Sequence, residues 1–288
     1  MKKPTVGFVG QGYVGKNYAD NFERRGFEVV RYSVEEKYKG NKEKIKECDI
    51  VFIAVPTPTT PKGFDQSIVE SVLKLVGEGK IAVIKSTIAP GTAKKLQAKF
   101  PKIILLMSPE FLSEATAARD AAHPFSNILG VAVFDARHKR AAEKVLSLLP
   151  KARFSLICDA TEAEIIKYVH NINGYSQIVM FNLMYDLARG LGASWDNIQK
   201  AIEADPFIPS RYSKPVHKSG RGAGGACFIK DFAAFKEAYK KNVKDKIGLS
   251  LLTEMENKNN DLLLKSKKDL YLLAGVYGKN ILKKKSAE

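Results

Sequence analysis

Cysteine is scarce in this sequence: Cys48, Cys158 and Cys227 are the whole supply in 288 residues. Three is an odd number and no CxxC spacing occurs. Neither a disulfide framework nor a zinc finger is therefore expected, no other metal site is expected, and a reducing, cytoplasmic setting suits the chain. No uninterrupted apolar run approaches the roughly 20 residues that span a bilayer. The opening MKKPTVGFVGQG has two lysines, but its apolar stretch is too short and too broken by glycine for a signal peptide. Negative charge is short as well: 31 Asp and Glu stand against 47 Lys and Arg, a formal +16. Such a surplus favours anionic partners in general. The lysines are nevertheless scattered over 42–46, 240–246, 265–268 and 283–285, with no RNA-recognition signature or recognition-helix motif beside them. They read as a solvated face, and neither a nucleic acid nor a membrane is expected as partner. Internal repeats are also missing.

What is present is a change of rhythm along the chain. Hydrophobic residues at 45% and charged residues at 27% are ordinary globular values, and the length suits about two domains. Short apolar, β-branched runs at 5–9, 28–32, 49–55, 81–85, 103–107, 127–133 and 153–158 alternate with amphipathic stretches such as 18–25 and 68–76. This alternation predicts an α/β fold, a Rossmann-type doubly wound parallel sheet, over 1–158. From Asp159 the period is helical. Asp159 with Glu162, and Thr161 with Glu164, have capping-box spacing ahead of a long helix, or two collinear ones, over 162–191. A second helix is expected over 195–204, a Pro/Gly-rich loop over 206–225, and further helix from Asp231 to about Leu273 with a break near 243–248. The second domain is thus 159–275, followed by a basic tail, 276–288.

Gly10, Gly12 and Gly15 form GQGYVG straight after the first strand. The first glycine permits the turn, the second lets backbone approach a pyrophosphate, and the third packs helix on strand, the signature of a dinucleotide site. The acidic residue expected after the second strand, which bonds ribose hydroxyls, is replaced by Ser33. Arg31 stands nearby as a possible 2′-phosphate ligand, and Glu35 and Glu36 as substitutes for the acid, so these residues leave NAD and NADP both open. Lys167 and Asn171 are four apart and share a helix face, a pair able to hold a substrate oxyanion; His170 beside them reads as structural. Cys227 lies in GRGAGGACFIKD, where glycine lets backbone approach a ligand and a helix start with Lys230 favours thiolate. Cys48 and Cys158 read as small buried hydrophobes. KSTIAPGT (85–92) offers Thr87, SPEFLSEA (108–115) offers Glu110 and Glu114, and VPTPTTP (55–61) follows a third strand; ligands of open α/β sheets sit at that edge.

Together these residues resemble the UDP-glucose/GDP-mannose dehydrogenase family. The matching pieces are GQGYVG, VPTP with Asp65 downstream, KSTIAPGT, SPEFLSEA with Asp120 and Pro124, the Lys167–Asn171 pair and GAGGACFIKD, in the family's order over nearly the whole chain. The resemblance implies four-electron oxidation of a nucleotide sugar at its 6-hydroxyl, with NAD as acceptor. Cys227 would carry a thiohemiacetal and then a thioester, which water opens to the uronic acid. It further implies that Lys167 and Asn171 hold the oxyanion, that Asp231 and Thr87 position water and relay protons, that Glu110 assists hydrolysis, and that Lys230 neutralises charge near the thiolate. Cofactor contacts are implied for Gly10, Gly12, Tyr13, Val14, Gly15, Ser33, Pro56, Thr57, Thr87, Glu114 and Lys230. Substrate contacts are implied for Glu110, Phe111, Leu112, Lys167, Asn171, Arg211 and Gly224. Arg211 matches the family arginine that reaches a neighbouring subunit's substrate, which implies a homodimer through the helical domain.

The sequence departs from the family pattern at Ser33, at Phe125, Ser126 and Asn127, at Ile208 and Pro209, and at Ile229. GKNI near the C-terminus resembles the opening of the family's third domain, which is expected to be missing, with weak sugar-nucleotide binding as the consequence. Two other functions stay in view: a two-electron hydroxyacid dehydrogenase, for which Lys167 and Asn171 suffice and Cys227 is idle, and a non-catalytic dinucleotide-binding protein.

Overall fold

A computed structural model of the chain describes residues 3–283. They form two compact units: one ends at Thr57 and resumes over Asp65–Lys167, and the other combines Pro58–Phe64 with the chain from Tyr168 onward.

The first unit is built on a seven-stranded sheet. Its strands are β1 (Val6–Val9), β2 (Val29–Tyr32), β3 (Ile50–Ile53), β4 (Ile81–Ile84), β5 (Ile104–Met107), β6 (Ser126–Val131) and β7 (Phe154–Asp159), in spatial order 2-1-3-4-5-6-7. The helices are α1 (Tyr13–Arg24), α2 (Glu36–Lys39), α3 (Ser67–Leu73), α4 (Thr92–Lys99), α5 (Ala117–Ala122) and α6 (Ala136–Leu148). β1, β3, β4 and β5 are buried along their whole length. Near-continuous apolar runs of this kind belong to parallel strands covered on both faces. Phe8 of β1 stacks on Phe52 of β3 with centroids 4.9 Å apart and meets Phe22 of α1 edge-on at 5.4 Å. Tyr18, Ala19 and Phe22 form the helix face that covers them.

The sheet departs from the all-parallel expectation at one joint, where β5 and β6 pair antiparallel before β6 and β7 run parallel again. The short α5 spans only about 9 Å at 1.5 Å per residue, too little to carry the chain back along the sheet. β6 therefore enters from the end at which β5 leaves.

Helix α7 (Ala160–Gly190) is one uninterrupted helix of 31 residues, about 46 Å long. The Asp159 capping box forms: Asp159 N donates to Glu162 (2.9 Å) and Thr161 N to Asp159 (2.9 Å). The Thr161–Glu164 box does not. The Glu164 carboxylate instead accepts from Gly91 N (2.5 Å) and Ala93 N (2.7 Å) at the start of α4.

The second unit contains the rest of α7, then α8 (Trp195–Ala204), α9 (Gly225–Asn242), α10 (Lys246–Lys265) and α11 (Leu270–Tyr277). Tyr175 of α7 stacks on Phe232 of α9 at 3.9 Å, and Gly174 provides room for Tyr212 and Phe228. Helix α9 begins at Gly225, six residues before the expected start at Asp231, because Gly224 acts as its N-cap. The segment expected as a basic tail is ordered as far as it is described. Val276 ends in α11, and Ile281, in a 3-10 turn over Lys279–Lys283, packs with Ile229, Leu263 and Leu273; residues 284–288 lie outside the described chain. Among the described residues no helix is long and apolar enough to cross a membrane.

Candidate active site

In the first unit, the site residues gather where β1, β3, β4 and β5 end. Gly10 has φ +90°, and a Cβ there would strike the Ala54 carbonyl. A Cβ at Gly15 would strike the Gly10 carbonyl, so α1 sits directly on the turn. At Gly12, the N-cap of α1, a Cβ would meet nothing within 4 Å, and no acidic residue stands in the helix's first turn. The positive end of α1 therefore lies beside a glycine with room around it and no carboxylate in the first turn, which fits the pyrophosphate of a dinucleotide. Tyr13 is exposed and Val14 half-buried. No motif points to Gln11, yet it is buried and ties the loop together, donating to the carbonyls of Phe8 (3.1 Å) and Gly10 (3.2 Å).

Ser33 is buried just past β2, and its hydroxyl accepts from Glu35 N at 3.3 Å. Arg31 is not available in the way its position suggests. Its guanidinium is held by Asp20 (2.6 Å) and Glu23 (2.7 Å), which keep it firmly protonated, so it is engaged on α1 rather than open to a 2′-phosphate.

The two loops after β3 and β4 are joined. Thr57 Oγ1 donates to the Thr87 carbonyl (2.7 Å), Val55 N donates to Ser86 Oγ (2.9 Å), and that hydroxyl donates to the Val55 carbonyl (2.7 Å). Thr57 and Thr87 are buried and Pro56 is exposed. After β5, Glu110 is buried and accepts from Leu112 N (2.8 Å) and Lys167 Nζ (3.1 Å); the same ammonium donates to the Glu110 carbonyl at 2.7 Å. The Phe111 ring lies 5.5 Å from Lys167 Nζ. Asp120 braces this loop by accepting from Ser113 N (3.0 Å) and Thr116 Oγ1 (2.7 Å), while Glu114 is exposed. Lys85 opens KSTIAPGT, but no spacing marks it as special. It is 3% exposed, lies 4.1 Å from the Tyr18 ring and donates to Ser108 Oγ at 3.2 Å. Burial pulls its ammonium down to about 8; the Glu110 charge opposes this and the Lys167 charge adds to it.

In the second unit, Cys227 is the third residue of α9 and partly exposed. Lys230 and Asp231 follow one turn later, on the same face. Asp231 is 2% exposed and fully engaged. One of its oxygens accepts from Lys230 Nζ (2.5 Å) and the other from Asn171 Nδ2 (2.5 Å). Thr59 Oγ1 donates to the Lys230 carbonyl at 3.0 Å. Arg211 lies exposed in a 3-10 turn, Ser210–Tyr212. Cys48 and Cys158 are buried, and burial pushes both thiols up to about 11, out of reach of thiolate chemistry at neutral pH. Gly220 and Gly224 fit closely against the α10–α11 turn, where a Cβ at Gly220 would strike Ser266 and one at Gly224 the Asp269 carboxylate, and Gly222 fits against α10 itself.

Two family models match. Residues 35–147 match the NAD binding domain of the UDP-glucose/GDP-mannose dehydrogenase family, and residues 161–261 its central domain. A UDP-glucose 6-dehydrogenase of Rickettsia bellii is 30% identical over 253 residues, covering 83% of this chain and 56% of that protein. One from Haloferax volcanii is 27% identical over 279 residues, covering 80% and 64%. Against the first of the curated relatives, a protein of Bacillus subtilis described as a putative UDP-glucose 6-dehydrogenase, the chain spans about half the length, 47%. Among solved structures, a UDP-glucose dehydrogenase of Pyrobaculum islandicum superposes with TM-score 0.77 at 25% identity, over 92% of this chain and 71% of that one. A 3-hydroxyisobutyrate dehydrogenase of Mycobacterium tuberculosis shares the fold alone, with TM-score 0.70 at 17% identity over 98% and 99% of the two chains.

Proposed function

Because the chain belongs to the UDP-glucose/GDP-mannose dehydrogenase family, we propose that it oxidises the primary alcohol of a nucleotide sugar to a carboxylate through a covalent intermediate on Cys227. The observation that carries this reading is the position of Cys227 in the first turn of α9, one turn ahead of Lys230 and the buried Asp231. A two-electron alcohol oxidation has no use for such a thiol. NAD, when bound, accepts the hydrides. Gly10, Gly12 and Gly15 would hold its pyrophosphate, with Tyr13, Val14, Ser33, Pro56, Thr57, Thr87, Glu114 and Lys230 as further contacts.

Lys167 and Asn171, one turn apart on α7, hold the substrate oxygen as it gains negative charge. The alcohol loses its first hydride to the cofactor and its hydroxyl proton to the water that Thr87 and Asp231 position, giving an aldehyde. The Cys227 sulfur attacks it, and the thiol proton passes to the aldehyde oxygen. Loss of the second hydride, with the hydroxyl proton again passing to that water, converts this thiohemiacetal to a thioester. Water, positioned by Thr87 and Asp231 and deprotonated with help from Glu110, breaks the carbon–sulfur bond and returns the thiol. Phe111, Leu112 and Gly224 line the sugar. Lys230 balances charge beside the thiolate. A second copy of the chain docks on the outer stripe of α7, where Val169, Met180, Leu183, Met184 and Leu187 are exposed, continued by Leu191 just past the helix end, and Arg211 reaches that copy's substrate.

The test is stoichiometry. UDP-glucose, UDP-N-acetyl sugars and GDP-mannose are each incubated with NAD, and reduced cofactor is counted per sugar consumed. Two per sugar, with a uronic acid as product, supports this reading. One per molecule of a simple hydroxyacid, and none with sugars, moves the protein to two-electron chemistry and leaves Cys227 idle.

A further inference from the structure

The turn between α10 and α11 makes contacts that neither the reaction chemistry nor core packing asks for. It lies against the glycine-rich chain that leads into Cys227. Ser266 Oγ accepts from Arg221 N (3.0 Å), and Lys268 Nζ donates to the Gly222 carbonyl (2.9 Å). Two turns earlier on α10, Asn259 pairs with both backbone groups of Ala223, accepting from its N–H (2.7 Å) and donating to its carbonyl (3.1 Å). Asp269 accepts from Gly225 N at 2.7 Å, the first N–H of α9. Lys268 is 6% exposed and Asn259 fully buried, an expensive placement for an ammonium whose described partners are neutral carbonyls. The backbone is strained at the same place: Lys267 and Asp269 are left-handed at φ +55° and +53°, where glycine is the usual resident.

We infer that this turn is a positioning clamp for Cys227: it fixes the loop 220–225, and Asp269 caps the helix on whose first turn the thiol sits. The glycine spacing fits this role. Every second residue of the loop is a glycine, and those at 220 and 224 are pressed against Ser266 and Asp269. The cap also has an electrical consequence. A carboxylate on the first N–H of α9 opposes the positive end of that helix, while the Lys268 ammonium beside it and Lys230 one turn beyond Cys227 act the other way, so the clamp places opposing charges around the helix start. Lys268, Asp269 and Asn259 act through the backbone, as positioning residues. The inference builds on the reading of Cys227 as nucleophile, but it can be measured without turnover.

The full chain is treated with iodoacetamide across pH 5–10, and the rate at Cys227 is followed by peptide mass. The buried Cys48 and Cys158 report any unfolding in the same digest. Asp269→Asn keeps an acceptor but removes the charge, so its rate profile moves to lower pH by roughly half a unit or more. Asp269→Ala and Lys268→Met loosen the loop, and acid formation falls roughly tenfold or more while KM for NAD stays within about twofold. Lys244→Met, on the exposed connection between α9 and α10, behaves as the parent chain. Parent-like alkylation profiles in all three turn variants, with Cys48 and Cys158 still protected, overturn the clamp. If Cys227→Ser still forms acid, the nucleophile reading fails, and the alkylation profiles still decide the clamp.

Discussion

Serine at position 227 keeps the shape of the first turn of α9 and loses the chemistry. A hydroxyl is far less ionised than a thiol at neutral pH, so the covalent adduct does not form. Cys227→Ser is expected to reduce uronic-acid output by roughly a thousandfold while NAD still binds, as read by product chromatography beside a cofactor titration. Lys85 makes an opposite kind of prediction. Its folded pKa of about 8 lies below the unfolded value of 10.5. The folded chain therefore binds fewer protons between those values, and stability rises with pH across that window. Below about pH 8 the full cost is present, of order 3 kcal/mol from the pKa difference. Lys85→Met should raise the thermal midpoint at pH 7, and the gain should shrink as pH approaches 10.5. A melting series from pH 7 to 10.5 checks this, and a gain that does not change with pH would refute it. At the same scale, Arg31 held by Asp20 and Glu23 argues that NAD binds more tightly than NADP, since this guanidinium is already engaged. Fluorescence titration with both cofactors measures the preference, and Asp20→Ala with Glu23→Ala should weaken it by freeing the guanidinium.

At the scale of elements, the sequence showed most where local rules act alone. The strands follow from β-branched runs, α7 from its unbroken period, and its start from the Asp159–Glu162 box. Three features were hidden, each because a distant segment decides it. The β5–β6 joint depends on where the intervening chain is used up. The start of α9 was masked by glycines that look like loop until the α10–α11 turn is seen against them. Glu164 has the spacing of a local cap, yet it serves α4. Burial pushes the Glu164 carboxyl up to about 7, against the pull of its two N–H donors. A carboxyl with a raised folded pKa contributes stability that is complete below its unfolded value near 4.5 and fades as pH climbs through 7. Glu164→Gln retains an acceptor oxygen and removes the titration. The thermal midpoint of the parent should drop more steeply between pH 5 and 7.5 than that of the variant; parallel curves would show that this carboxyl does not set the slope.

For the whole molecule, the motifs made the site legible as two groups, one at the ends of β1, β3, β4 and β5 and one on α9 with Asn171. Not legible were the residues that brace those groups without belonging to a pattern: Gln11, Lys85, Glu164, Asn259 and Lys268. Each acts on backbone or on a buried neighbour far away in sequence. Assembly is a matter of surface rather than motif. Val169, Met180, Leu183, Met184 and Leu187 fall on one stripe of α7, with Leu183 and Met184 side by side and the other gaps three and eleven, and Leu191 continues it just past the helix end. Leu187 is 65% and Leu191 75% exposed, and Phe207, ahead of Arg211, is 92% exposed. Apolar residues that cluster in this way mark a surface made to be covered. A chain carrying +16 repels its own copies at long range, so the apolar contact has to outweigh that repulsion, and added salt should strengthen association by screening it. Leu187→Glu with Met184→Glu places two like charges on each side of a two-fold contact and should yield monomers. Light scattering on eluted peaks, at low and at 0.5 M salt, gives the mass directly. A parent dimer that the double variant abolishes, together with loss of acid formation, is the expected result. A dimer that survives the substitutions would move the interface off α7, and with it the assignment of Arg211 to a neighbour's substrate.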